Sequence, residues 1–253
     1  LVAWVTIAAG GDPTRQAAGF ISSVIYLVPG FPLVTAALNF ARLDVDAGLS
    51  RLMELLMVTG ATALGIWVAS IIVNIQPAPA PALPLDLPGS LALWFAATFT
   101  GTAAFAAFFG SPLRAALLSG GIGAVANTAR LAAINAGMTV LAATAAAALL
   151  IGLLCWLVAN RGIPRITLAV PTVIPLVPGT SFYRSLVEIF GGDAAAAVAP
   201  LAQAVLVSVG IGVGLAAARM LTDPGWGFTR PDPPSLASFS VPRPRLRRRR
   251  SEA

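Results

Sequence analysis

Long apolar runs, separated by short polar or proline-rich connections, fill the chain from Leu1 to Leu221. A membrane-spanning helix needs about 20 apolar residues. On that measure the pattern predicts a remnant at Leu1–Ala9 and seven complete spans. These are Ala17–Phe40, Leu52–Ile75, Ser90–Phe109, Leu113–Ala136, Met138–Ala159, Thr167–Phe190 and Ala197–Leu221. The expected fold is an all-α integral membrane protein. Between the second and third spans lies QPAPAPALPLDLPG, whose prolines favour an extended spacer over a helix. No such run follows Leu221, and the remaining residues, 222–253, read as a basic disordered tail.

Two of the spans are interrupted by the same four residues, LVPG, at 27–30 and at 176–179. Aligning them also brings Asp44 onto Asp193 and Gly65 onto Gly214. Each copy reads as a proline-broken span, a short acidic connection and a final span with small residues. The first broken span runs outside to inside and the second inside to outside, which is the relation of an inverted repeat. The second unit holds five spans, and Leu1 aligns with Leu150, inside the third of them. The chain is thus expected to hold the C-terminal part of a first membrane repeat (1–76), a proline-rich linker (77–89), a complete second repeat (90–221) and the tail. The expected whole is a ten-span, 5+5 transporter.

Composition narrows the chemistry. The chain is 57% hydrophobic and 10% charged, far from the balance of a soluble domain. Histidine and lysine are absent, so all 16 basic residues are arginine. That excludes a Ser-His-Asp triad, histidine metal ligands and a lysine-bearing phosphate loop, and no nucleophile–base pair can be assembled. The protein is expected to be no enzyme and to need no metal or cofactor. The single cysteine, Cys155, reads as a small buried hydrophobe. The net charge of +6 reflects the run RPRLRRRR, Arg243 to Arg250, rather than a nucleic-acid surface. Alternate connections carry Arg42 and Arg51, then Arg114, then Arg161 and Arg165, then the tail. The positive-inside rule puts these in the cytoplasm, with the C-terminus, in a plasma or inner membrane.

The breaks are where polar chemistry gathers. Pro29, Pro32, Pro175 and Pro178 remove amide donors, and Gly30 and Gly179 permit close backbone approach. Each broken span should become two half-helices around an unwound turn, leaving carbonyls at one end and amides at the other. Those groups suit the ammonium and carboxylate of an amino acid. One such break reads as a packing kink; two at equivalent places in opposed repeats point to a working one. Thr35 and Asn39 follow the first break, and Thr180, Ser181, Tyr183, Arg184 and Glu188 the second. Glu188 is the proton-coupling candidate, with Arg184 or Arg130 as partner for a carboxylate. The alternative is that Arg184 and Glu188, four apart on one face, pair with each other near the outer interface. Asn127 and Arg130 mark a third polar stripe that faces the same cavity or else carries a snorkelling arginine. The small residues of GIGVG (Gly210 to Gly214) and SGGIGAVAN (Ser119 to Asn127) read as close-packing surfaces.

The segment YLVPGFPLVTAALNFARLDVDAGLSRL resembles the end of the first membrane domain of the threonine/serine exporter family. FFGSPLRAALLSGGIGAVANTARL, followed by PTVIPLVPGTSFYRSLVEIFGGD, resembles its second membrane domain. The resemblance implies ten spans and export of small hydroxy amino acids driven by the proton motive force. It also implies two domains that are fused or act as separate subunits, so a missing N-terminal membrane half or a homo-oligomer is an expected partner. Substrate, protons and the lipid bilayer complete the expected partners. Related two-subunit members leave a dicarboxylate (succinate-like) exporter as an alternative, and a passive channel or non-transporting subunit as another.

Overall fold

The computed structural model describes residues 30–42, 44–73, 85–159, 163–223 and 225. The expected remnant at Leu1–Ala9, the first half of the first broken span with Pro29, most of the linker and the tail after residue 225 lie outside these. Among the described residues every regular element is helical: α1 (Gly30–Ala41), α2 (Val45–Val73), α3 (Leu87–Phe108), α4 (Leu113–Asn135), α5 (Val140–Ala159), α6 (Arg165–Val173), a 3₁₀ turn (Ile174–Leu176), α7 (Gly179–Phe190) and α8 (Ala194–Thr222). Helices α3, α4, α5 and α8 are long and apolar enough to cross a membrane. The bent pair α6–α7 makes a fifth if it is one span.

Local chemistry sets the helix ends. Asp86 caps α3 by accepting from the Gly89 amide at 3.0 Å, with Pro88 fitting the first turn where no donor is needed. Asp44 and Asp193 cap α2 and α8 in the same way, accepting from Ala47 at 3.3 Å and from Ala196 at 2.9 Å. The Asp44 cap explains why α2 begins at Val45 rather than at the expected Leu52. At the close of α7, Gly192 adopts a left-handed φ of 88°, which costs glycine nothing. There the Gly192 amide donates to Ile189 and the Asp193 amide to Glu188. The end of α1 shows the matching bond, Asp44 amide to Asn39 carbonyl at 3.0 Å. The two positions aligned from sequence, Asp44 and Asp193, therefore occupy the same local structure.

The helices pack through small residues, because lipid is as apolar as leucine and offers no hydrophobic force to drive helices together. Helix α8 lies along α5, where a Cβ on Gly214 would run into the Ala145 carbonyl and stand 2.7 Å from the Ala148 Cβ. Gly210 approaches Leu141 on the same seam, and Gly152 of α5 meets Ala218 of α8. Helices α3 and α4 form the second close pair, with Gly120 under the Phe99 carbonyl and Gly123 against Thr102. Both glycine stretches thus serve as the close-packing surfaces expected of them. The core they close contains Ile151, Cys155, Leu168, Leu176 and Ile211, all buried. The outward faces stay apolar, with Phe108, Leu113 and Leu221 exposed. Such a surface would aggregate in water and suits a bilayer.

Helix α1 packs against α2 and α8, while α7 packs against α8 and touches α2. The described parts of the two broken spans therefore flank the same pair of helices.

Candidate functional site

The second break lies where the prolines put it. Pro171 sits inside α6, and the missing amides of Pro171 and Pro175 leave the Thr167 and Pro171 carbonyls without their ladder donors. The chain tightens into the 3₁₀ turn, then extends at Val177 (φ −62°, ψ 130°) before α7 begins. Val177 donates to Ile174 at 3.0 Å and Gly179 to Val177 at 2.8 Å. The axis bends by 46° between Arg165–Leu176 and Gly179–Leu186. Twelve residues on each side, Arg165–Leu176 and Gly179–Phe190, give arms of comparable length and put the break near the centre of the span. The turn packs on α3 and α4, and α6 on α3, α4 and α5. At the start of α7 the amides of Thr180 and Ser181 have no preceding helical turn to bond to.

The candidate residues divide into groups. Pro178 and Gly179 are buried at the break, Pro175 and Ser181 are partly buried, and Thr180 is exposed. Arg184 and Glu188 are both exposed, and among the described residues neither has an ion-pair partner, so the pairing raised as the alternative to a transport role does not form. Glu188 stands in the last turn of α7, about 14 Å along the helix from Gly179 at about 1.5 Å per residue. The Tyr183 side chain lies outside the described residues. In the first unit, α1 starts at Gly30, Pro32 is buried, Thr35 donates to the Pro32 carbonyl at 3.1 Å and Asn39 is partly buried. Arg51 and Glu54 pair at 2.7 Å on the exposed face of α2, as an edge contact.

Between the two broken spans lies a cavity of about 690 Å³ bordered by Ala36, Phe40, Leu55, Phe182, Ser208 and Gly212 among others. Among the described residues Ser208 is the only polar side chain in its wall, and its hydroxyl donates to the Ala204 carbonyl at 2.7 Å. A zwitterion there would find nothing to replace its water. Among the described residues, none of the sequence-predicted polar side chains borders this space.

The polar residues that do converge are elsewhere. Arg130 of α4 donates through Nε to Thr144 Oγ1 of α5 at 2.9 Å, and through Nη1 to Asn127 Oδ1 at 3.2 Å. Asn127 Nδ2 continues to Thr98 Oγ1 of α3 at 3.0 Å, and Thr144 closes on the Val140 carbonyl at 2.6 Å. Thr98, Asn127 and Thr144 are buried and Arg130 partly so. The guanidinium is therefore directed between α4 and α5. Sequence reading found Asn127 and Arg130 by their spacing but missed Thr98 and Thr144. A lone threonine in an apolar helix gives no signal until its neighbour across the interface is known. A second arginine missed in this way is Arg165, which ties α6 to Thr222 of α8 at 2.8 Å and to the Gly152 carbonyl of α5 at 2.9 Å.

Two family models match the chain. Residues 94–221 match the family model described as threonine/serine exporter, ThrE, and residues 1–73 match that described as putative threonine/serine exporter. No curated protein and no solved structure matches the chain.

Proposed function

The chain belongs to the threonine/serine exporter family, and from that premise we propose that it forms part of a proton-driven exporter of small hydroxy amino acids. The observation that carries this reading is the 46° break at Val177–Gly179, midway along a span, with the turn before it packed on α3 and α4. Unbonded backbone at that depth is expensive unless it lines a cavity or meets a ligand. The freed carbonyls of α6 would face the substrate ammonium, and the first amides of α7, with the hydroxyls of Thr180, Ser181 and Tyr183, its side-chain hydroxyl. The first break, at Pro29–Gly30 with Pro32, Thr35 and Asn39, would be its inverted counterpart. In favour of that relation are the matched caps at Asp44 and Asp193 and the placement of α1 and α7 against the same helices. The whole is a ten-span, 5+5 assembly with the C-terminus and the arginine-rich connections in the cytoplasm. The first unit comprises residues 1–76, completed by upstream spans or a partner subunit, and the second residues 90–221.

Competition in liposomes containing the full-length protein tests the substrate class. Excess serine should suppress efflux of labelled threonine by more than about tenfold, and excess succinate should leave it unchanged. Suppression by succinate alone would replace this reading with dicarboxylate export. Glu188, exposed on α7 and without an ion-pair partner among the described residues, is the proposed proton carrier. Glu188→Gln should abolish the dependence of efflux on an imposed pH gradient while downhill exchange persists. Efflux that keeps its full pH-gradient dependence in this variant would remove Glu188 from the coupling path.

A further inference from the structure

The Arg130 cluster has a surplus that packing does not account for. A guanidinium has five N–H donors, and here one on Nε goes to Thr144 and one on Nη1 to Asn127. The others have no partner among the described residues, and no carboxylate lies within ion-pair distance. Both acceptors are neutral, so among the described residues nothing compensates the positive charge of Arg130 inside the span. Holding a charge there is costly, and such residues mark pathways rather than scaffolds. A staple joining α3, α4 and α5 needs no charge, since neutral amide and hydroxyl side chains also donate hydrogen bonds across helices. The chain of bonds from Thr98 through Asn127 fixes the fork in direction, because Asn127 offers its oxygen to arginine only while its nitrogen is engaged by Thr98. Thr144 is fixed in turn by the Val140 carbonyl. The N–H groups left on Nη1 and Nη2 match the two oxygens of one carboxylate. Helices α3 and α4, which carry Thr98, Asn127 and Arg130, are also those on which the 3₁₀ turn of the break packs.

We propose that Arg130 is the docking point for the α-carboxylate of the transported amino acid, with Asn127, Thr98 and Thr144 as the residues that aim it. This rests on the amino-acid exporter reading and names the group that reads the substrate's anionic end. Arg184, exposed and held by nothing among the described residues, has no comparable orientation.

The test is equilibrium binding to the purified full-length protein of three probes: L-threonine, L-threonine amide, which lacks the carboxylate, and succinate. Wild-type protein should prefer threonine over its amide by about 10- to 100-fold, the range of hydrogen bonds to a charged group. Arg130→Gln should weaken threonine by that factor and leave the amide unchanged, so the preference disappears. Thr144→Val, which keeps the charge but releases Nε, should reduce the preference partway, and it stands in if Arg130→Gln does not fold. The proposal is overturned if the variants bind threonine as the wild type does. It is equally overturned if they lose threonine and its amide in equal proportion, as a purely structural arginine would. Should the wild type bind succinate and not threonine, the amino-acid reading fails. Loss of succinate binding in Arg130→Gln would then still support the docking role, and its retention would end it.

Discussion

Gly214→Leu is expected to prevent the protein from reaching a monodisperse folded state. Even alanine there would set its Cβ against the Ala145 carbonyl, 2.7 Å from the Ala148 Cβ and 2.9 Å from the Leu149 amide nitrogen. Two of those three atoms are backbone, so no rotamer change relieves the contact. The axes of α5 and α8 must separate along the most extensive helix pair among the described residues. Overpacking of this kind costs about 1–3 kcal/mol for small insertions. Gly214→Ala should therefore lower the unfolding midpoint in detergent by on the order of 5 °C. Leucine adds three more carbons with no free volume and should fail outright. Gly101, on the exposed face of α3 with nothing within 4 Å of its would-be Cβ, is the matched control, and Gly101→Leu should elute as the wild type does. A monodisperse Gly214→Leu protein of wild-type thermal stability would contradict this packing.

Arg165→Met should make Cys155 reactive. Arg165 opens α6 and bonds outward to Thr222 and the Gly152 carbonyl, so a single side chain ties the start of α6 to the end of α8 and to the second half of α5. In the proposed topology this is the cytoplasmic end, and an exporter must open there to load. Cys155 lies one turn beyond Gly152, fully buried in the core that α6 covers. It is the only cysteine in the chain, and its labelling reports that opening. Hydrogen bonds from a charged donor contribute about 1.5–3 kcal/mol each, less where water screens them. Losing two should raise the open population, and with it the maleimide labelling rate, by at least about tenfold. Methionine keeps the apolar length of the stem, which limits the change to the lost bonds. Labelling of the Cys155 peptide, followed by mass, that stays at the wild-type rate would show that Arg165 is no latch.

Much of the fold was legible because lipid imposes strict rules. Apolar length gave the positions of α3, α4, α5 and α8 within a few residues. Pro175, Pro178 and Gly179 gave the second break, since no tertiary contact restores an amide that proline lacks. The glycines at 120, 123, 210 and 214 gave the tight interfaces. Pair identities were not legible. The spacing of Arg184 and Glu188 suggested an ion pair, yet the two side chains stay apart, since helical spacing permits a contact without requiring it. Arg130 was visible as a charge in a span, but its partner Thr144, and Thr98 behind Asn127, come from helices whose rotation the sequence does not set. Gly65, aligned with Gly214, has nothing within 4 Å. On the proposed repeat its packing partner would correspond to α5, and that counterpart falls at residues outside those described.

The most direct test of the central claim is uphill movement of labelled threonine in liposomes bearing the full-length protein, under an imposed proton gradient. The account predicts accumulation above the equilibrium level, collapse on adding a protonophore, and loss of both when Pro175 and Pro178 are replaced by alanine in a protein that still folds. Threonine that only equilibrates across the membrane, or accumulation that survives straightening of the span, would contradict it.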